Sequence, residues 1–287
     1  MISTTSVPGL VRLQGSVAAQ AVPDLAGVCR VLAVFEHAAY LLFDHRHDAV
    51  VALLRPGALQ LPIGVRLPGH TPDLRHLVDV GAVGEVAAGR LRIGALDVGL
   101  SGRHRPIGVR VRVTGVVPAR GIAARLGADP VLRARARQLA AAITAQQLQR
   151  ELRGAPDHRA AHEQLAALIG WGRGLTPSGD DLVCGVLLAL VAAGRLRTDE
   201  AEGLLANQLH RTTSLSARLL RCAAAGLGVP QVVRLVDASF DASFDVATPG
   251  AATIAAVHAI GHSSGRDLCA GLAGALDHLS DPRSPTR

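Results

Sequence analysis

A loop that could bind an anion meets a pair of carboxylates between residues 170 and 181. Alternating glycines open the segment, and glycine lets the backbone adopt positive φ and lets a ligand approach it closely. Hydroxyl residues and an acidic pair then lead into an apolar run, which predicts a loop that turns into a helix. The amides at a helix start attract anions, whereas paired carboxylates attract cations. The candidate ligand-binding residues here are Gly170, Gly172, Gly174, Thr176, Ser178 and Gly179, and the candidate catalytic residues are Asp180 and Asp181, which are also the candidate metal ligands.

The start of this helix has a specific predicted geometry. Ser178 and Asp181 are three residues apart, which is the spacing of a capping box. Pro177 is tolerated in a first helical turn. We therefore expect Ser178 to be the residue that caps the helix.

The same arrangement recurs near the C-terminus. Residues 178–185 (SGDDLVCG) align with residues 264–271 (SGRDLCAG), with Ser, Gly, Asp, Leu and Gly at equal offsets. If the two helix starts face one another, their charged residues surround one pocket. The alternative is that both are well-capped buried helices whose glycines allow close packing. The second segment adds Asp267 as a candidate catalytic residue and Ser263, Ser264, Gly265 and Arg266 as candidate ligand-binding residues.

A third polar cluster precedes a helical run that starts near residue 213. Arg211 could bind a carboxylate or phosphate bidentately, and Thr212 or Thr213 could cap the helix. A capped surface helix explains this cluster as well as a ligand site does. Arg211, Thr212 and Thr213 are therefore candidate ligand-binding residues with a structural alternative.

Composition excludes several classes of function. The basic residues that give the net charge of +7 are all arginine, and a chain without lysine can hold neither a Schiff base nor a Walker-type phosphate loop. The arginines are scattered and aromatic residues make up only 2%, which argues against binding of nucleic acid. The four cysteines contain no C-x-x-C pair, which argues against a zinc site.

Neither a signal peptide nor a membrane span is predicted. The N-terminus has no charged stretch followed by an apolar core. The longest apolar run, residues 182–193, is too short to cross a bilayer. We therefore expect a cytoplasmic protein without a membrane partner.

The chain predicts an α+β fold with two domains. Residues 1–127 contain short runs of Val, Leu and Ile cut by Gly and Pro, as in a small barrel or sandwich. One of these runs, residues 107–117, includes the strict alternation of residues 109–113. Residues 128–280 have helical spacing from the start at Asp129-Pro130 onward, and carry the glycine-rich motif. Residues 281–287 are expected to be a disordered tail.

These motifs resemble a bacterial family long known without a function. The string from Gly170 to Asp181, the Thr212-Thr213 segment and the Gly261-to-Asp267 segment occur in that family's order. One member is the AllH-type subunit of oxamate carbamoyltransferase. The resemblance covers roughly residues 165–275, whereas the first half is similar only in its β-rich character and length.

The resemblance implies a subunit of an enzyme that moves a carbamoyl group between phosphate and the nitrogen of oxamate. It implies a small anionic substrate, of the carbamoyl phosphate or carboxylate class, and partner subunits. Helix starts and arginines suit such anions, and preorganised donors would stabilise the charge that gathers on oxygen during transfer. In that scheme, Asp180 or Asp181 binds a cation or positions the attacking amine.

Two further hypotheses remain open. The first is an Mg²⁺-dependent phosphoryl or acyl transferase in which Asp180, Asp181 and Asp267 bind the metal through oxygen. The second is a non-catalytic subunit that binds an anion or acts as a scaffold. Mg²⁺ is the one cofactor that these hypotheses name.

Overall fold

The computed structural model describes residues 9–112, 117–119, 121–151, 159–241 and 249–282. The chain divides between Pro106 and Ile107 into two compact units. The first is a β-barrel and the second is helical, which confirms the predicted fold class. The predicted domain division after residue 127 falls inside the second unit. Of the predicted disordered tail, residues 283–287 lie outside the described residues.

The first unit is a closed barrel. Its strands follow the order β1-β5-β4-β3-β2-β6-β7-β8 around the barrel. The β1–β8 and β4–β5 pairs are parallel, and the other neighbours are antiparallel. The strands are β1 (Val11–Ala18), β2 (Gly27–Val34), β3 (Ala38–Phe43), β4 (Val50–Leu54), β5 (Gly64–Arg66), β6 (Val83–Ala87), β7 (Arg90–Ile93) and β8 (Leu96–His104).

Small and branched residues fill the interior of the barrel. Strand β3 alternates between buried and half-buried positions, as a strand with one face toward a core should. Strand β4 is buried along its whole length. Leu41, Phe43, Leu53 and Leu91 are among the largest fully buried side chains. Closure removes the exposed strand edges that an open sheet would carry.

The second unit is helical over most of its described length, as the helical spacing of residues 128–280 predicts. Asp129 explains one start, since its Oδ1 accepts hydrogen bonds from the amides of Val131 and Leu132 at 2.9 and 3.0 Å. The described helices are α1 (Ile122–Arg125), α2 (Pro130–Glu151), α3 (Arg159–Leu168), α4 (Ser178–Ala192), α5 (Thr198–Leu205), α6 (Ser214–Ala224), α7 (Pro230–Ala238), α8 (Pro249–His258) and α9 (Ser264–Ser280).

The strand predicted within residues 107–117 is wrong for the residues that the structure describes. Residues 109–112 form no strand, and the segment pairs only through an isolated bridge between Gly108 and Leu227. Arg112 forms an ion pair with Asp237 at 3.2 Å, and Val109 is buried while Val111 is 64% exposed. The alternating valines therefore do not share one buried face, and the described part of the segment docks on helices rather than on a sheet.

Helix α4 lies at the centre of the helical unit. Its residues from Gly179 to Ala192 are buried, which explains its continuous apolar run. Its main partner is α9, and glycines bring the two backbones together. A Cβ on Gly185 would overlap the carbonyl oxygen of Leu268. Among the described residues, the helices are each too short or too polar to cross a membrane.

Candidate functional site

The start of α4 differs from the predicted capping box. Ser178 is the first residue of the helix, and Pro177 occupies the cap position without a side-chain hydrogen bond. The carbonyl of Pro177 accepts hydrogen bonds from the amides of Asp180 and Asp181 at 2.9 and 3.2 Å. The predicted cap at Ser178 is therefore wrong. Because Pro177 has no N–H that the carboxylate of Asp181 could accept from, this carboxylate is left for other partners.

The starts of α4 and α9 are built alike. The amide of Gly179 donates to the carbonyl of Trp171 at 2.8 Å, and the amide of Gly265 donates to that of Ile260 at 3.0 Å. Both glycines also press on the end of the preceding helix, since a Cβ at Gly179 would overlap the carbonyl of Leu168 and one at Gly265 that of Val257. Protein therefore occupies the space beside these two glycines, as the packing alternative expects.

The two helix starts lie side by side. The hydroxyl oxygens of Thr176 and Ser264 are 2.9 Å apart, although 88 positions separate them in the chain. The amides of Ser178 and Ser264 form no backbone–backbone hydrogen bond with a residue that the structure describes. The two helix starts therefore meet through these hydroxyls.

Asp181 lies at this junction. It is 8% exposed, and the hydroxyls of Ser264 and Thr176 hydrogen-bond to it. Burial raises the pKa of Asp181 to about 7, and the nearby charges of Asp267 and Asp180 act in the same direction, against the two hydroxyl hydrogen bonds. Its Oδ2 is buried without a hydrogen-bond partner among the described residues. Asp181 can therefore take up or release a proton near neutral pH.

Asp180 has a different environment although it is the next residue. Its Oδ1 accepts a hydrogen bond from the amide of Gly170 at 2.8 Å, and its Oδ2 accepts one from the hydroxyl of Thr212. Burial raises the pKa of Asp180 above its ordinary value, against hydrogen bonds from Thr212, Ser216 and Gly170. Asp180 is 1% exposed. It therefore ties the glycine-rich loop and the start of α6 to α4.

The three alternating glycines serve different purposes. All have positive φ, at 81°, 116° and 93° for Gly170, Gly172 and Gly174, which favours glycine. A Cβ on Gly170 would overlap the carbonyl oxygen of Arg211, and one on Gly172 would stand 2.7 Å from the amide of Ser178. Gly174 has open space around it. Two of the glycines thus allow close backbone packing, and the third lies where a solute could reach the loop.

The 211–213 cluster holds this loop in place. Thr213 caps α6 by accepting a hydrogen bond from the amide of Ser216 at 3.1 Å, as predicted. Its hydroxyl also donates to the carbonyl of Leu175 at 2.5 Å. Arg211 is exposed and donates to the carbonyl of Ala166 at 2.9 Å, near the end of α3. The cluster therefore connects α3, α6 and the loop.

A groove of about 630 Å³ opens beside the start of α9. Ser263, Arg266 and Asp267 line it together with residues from the start of α2 and Trp171. Within the described part of the chain, Asp180 and Asp181 are not among its lining residues. Arg266 is exposed, whereas Asp267 is only 8% exposed. The four charged residues of the repeat therefore divide between a buried junction and an adjoining groove.

The site offers little to hold a metal ion by itself. Both oxygens of Asp180 already accept hydrogen bonds from the protein. Over the described ranges, no group of three or more His, Cys, Asp or Glu residues is arranged to hold a metal. Binding of Mg²⁺ by Asp180 and Asp181 stays a prediction, and it would need further oxygen ligands from a substrate or water.

Two contributions to the site were not predicted. Ser216 hydrogen-bonds Asp180, and its place in the first turn of α6, within the serine-rich cluster, was the available signal. The guanidinium of Arg135 lies 5.5 Å from the centre of the Trp171 ring, and both residues line the groove. No motif links these two residues, because only the packing of α2 against the loop brings them together.

Comparison with known proteins gives one match. No curated protein and no solved structure is significantly similar to the chain. The family model described as oxamate carbamoyltransferase subunit AllH matches residues 168–276. This segment runs from the end of α3 into α9 and includes both helix starts. The match confirms that the chain resembles the AllH-type family, as its motifs predict.

Proposed function

We propose that this chain is a subunit of a carbamoyltransferase related to oxamate carbamoyltransferase, and that it binds a carbamoyl- or phosphate-type anion where α4 and α9 begin. The observation that carries the proposal is the 2.9 Å contact between the hydroxyls of Thr176 and Ser264. It lies inside the segment that matches the AllH model. The four cysteines are free and buried, which fits a reducing compartment, and a cytoplasmic location is part of the proposal.

The donors at the junction suit an anion. The first amides of the two helices can donate to one ligand, and the hydroxyls of Thr176 and Ser264 can each do so in exchange for their hydrogen bond to Asp181. Helix starts carry a partial positive charge that stabilises anions. Carbamoyl transfer gathers negative charge on the carbamoyl oxygen, and donors fixed in place before the reaction stabilise that charge. The rigid packing of both helix starts against preceding helices fixes these donors.

Asp181 supplies the proton chemistry in this proposal. When a nitrogen attacks the carbamoyl carbon, a C–N bond forms, the C–O bond to phosphate breaks, and the nitrogen loses a proton. A carboxylate with a pKa of about 7 can accept that proton and return it in the reverse direction, since a general base works best when its pKa lies near the working pH. Its neutral form also reduces repulsion of an incoming anion. Asp180 acts as a positioning residue for the loop.

The test is ligand binding by the full chain, measured by calorimetry and thermal unfolding. Carbamoyl phosphate, phosphate and oxamate are each titrated with and without Mg²⁺. A ligand at 100 times its Kd should stabilise the fold by about 2.7 kcal/mol. Thr176→Val with Ser264→Ala should weaken binding of carbamoyl phosphate about tenfold or more. Thr198→Val, which removes an exposed hydroxyl at the start of α5, is the matched control.

The outcomes separate the hypotheses. Equal binding of carbamoyl phosphate by the double variant and the wild type would refute the proposed site. Mg²⁺-dependent turnover of a phosphorylated ligand without carbamoyl transfer would instead support the phosphoryl or acyl transferase. Binding without turnover by the isolated chain, followed by carbamoyl transfer once partner subunits are added, is the result expected for a subunit.

A further inference from the structure

The groove beside α9 combines groups that an anion site alone does not need. Asp267 lines it and is 8% exposed, and its Oδ2 has no hydrogen-bond partner among the described residues. Buried carboxylate oxygens in proteins are normally hydrogen-bonded, and an ionised carboxylate can only accept. The described residues therefore leave one buried oxygen of this carboxylate without a donor, and a ligand would reach the carboxylate from the side that lines the groove.

Two cations stand at the same groove. Arg135 and Arg266 are exposed, and neither forms an ion pair with a residue that the structure describes. A guanidinium offers paired N–H donors that match the two oxygens of a carboxylate. The nearby Asp129 does not compete fully for them, because its Oδ1 caps α2 through the amides of Val131 and Leu132.

Trp171 gives the groove a flat wall. Its side chain is 45% exposed, and the guanidinium of Arg135 lies 5.5 Å from the ring centre. This contact limits the positions that Arg135 can adopt. A planar ligand could lie along the ring while its carboxylate meets the guanidinium edge. The groove therefore combines an acceptor, two cations and a flat wall. These features fit a planar ligand whose two ends differ chemically.

We propose that this groove binds a small planar carboxylate that also carries an N–H donor, with the carboxylate on Arg135 and Arg266 and the N–H group on Asp267. The inference rests on the proposed function in one respect, since it makes the groove the subsite for the molecule that gives or receives the carbamoyl group. The helix-start junction then holds the phosphate end. Arg135 and Trp171 become binding residues that the repeat motif does not contain.

Three molecules of the same shape test this assignment. Oxamate has a carboxylate and an amide, oxalate has two carboxylates, and oxamide has two amides. Calorimetry with the full chain should show oxamate binding about tenfold or more tighter than either, because each analogue loses one charge-assisted contact. Arg135→Gln and Arg266→Gln should each weaken oxamate binding severalfold and leave oxamide unaffected. Arg173→Gln, a change at an exposed residue in the loop of Trp171 but outside the groove lining, is the control.

The decisive variant is Asp267→Asn, because an amide can donate where the carboxylate only accepts. The ratio of oxalate to oxamate affinity should rise about tenfold or more in this variant. A ratio unchanged from the wild type would overturn the proposal, as would equal binding of all three ligands. If Asp267→Asn unfolds the chain, the two arginine variants still decide.

Failure here and failure of the proposed function give different results. If carbamoyl phosphate binds in a way that depends on Thr176 and Ser264, but the affinity for oxamate is unchanged in the groove variants, only the groove assignment is wrong. If the groove prefers oxamate to oxalate and oxamide as expected but carbamoyl phosphate does not bind, the groove assignment is supported and the carbamoyl-transfer role is refuted.

Discussion

Gly185 of α4 packs directly against the carbonyl oxygen of Leu268 in α9. The repeat contains the reciprocal contact, since Gly271 of α9 packs against the carbonyl of Leu182 in α4. Gly271 and Leu182 occupy the positions of Gly185 and Leu268 in the other copy of the repeat, so the two contacts are one contact with the helices exchanged. The helices are therefore related as two copies of one element, and the contact between them fixes the positions of both helix starts.

Adding a methyl group at this contact should separate the helices. For Gly185→Ala or Gly271→Ala, the new Cβ meets a backbone carbonyl that cannot rotate away, so we expect a loss of about 1–3 kcal/mol or more in the free energy of unfolding. Urea denaturation measures it. Gly203→Ala in α5 is the control: its Cβ would meet nothing within 4 Å, and it should stabilise the protein by about 0.5–1 kcal/mol. Similar stabilities for the three variants would contradict the close packing of α4 and α9.

Asp180→Asn should destabilise the fold. The carboxylate accepts hydrogen bonds from Gly170, Thr212 and Ser216, and an amide can replace only one of its two acceptor oxygens. The donors left unpaired should cost about 1–3 kcal/mol, measured by chemical unfolding at pH 7. Asp199→Asn breaks an exposed ion pair with Arg197 and should change stability by less than about 0.5 kcal/mol. A loss no larger than that of Asp199→Asn would show that Asp180 does not anchor the loop.

Asp181→Asn, unlike Asp180→Asn, should increase the free energy of unfolding at high pH. The folded pKa of about 7 lies above the ordinary 3.8, so the folded state binds more protons between these values. Stability from this group is therefore present below pH 4 and is lost as pH rises to 7. The variant should show a flatter stability profile between pH 4 and 7, and at pH 8 it should be more stable by up to about 4 kcal/mol. Parallel profiles for wild type and variant would mean that Asp181 titrates normally.

Anion binding at the helix-start junction should weaken above pH 7. Ionised Asp181 repels an anion, so binding must then take up a proton, and affinity should fall by up to about tenfold per pH unit. Calorimetry with carbamoyl phosphate in buffers of different ionisation enthalpy measures that proton directly. Asp181→Asn should remove the dependence, whereas Asp199→Asn should keep it. Proton release on binding, or none, would place the anion away from Asp181.

Local signals in the sequence were enough for two helix starts. Asp129 before Pro130 and Thr213 before Ser214 each mark a start that the structure contains. The cap of α4 could not be predicted in the same way. Ser178 and Pro177 both suit a first turn, and the structure decides in favour of the proline carbonyl because Asp181 has partners across the junction.

The site was predictable only as far as the repeat reached. Equal offsets of Ser264 and Ser178 predict two similar helix starts, and their contact follows once α4 and α9 pack through glycines. The groove was not predictable, because Arg135 and Trp171 share no motif and meet only after α2 packs. The alternation of residues 109–113 misled for a related reason: contacts with residues far along the chain, such as the ion pair of Arg112 with Asp237, hold the described part of this segment on helices.

The two copies of the repeat differ at one charged position, and that difference makes the two halves chemically unequal. Asp180 is buried and holds its own loop, while Arg266, its counterpart, is exposed at the groove. A scaffold of two equal halves would accept a ligand equally well in either orientation. In the proposed site an incoming molecule would meet an acidic side and a cationic side, so we expect it to dock in one orientation.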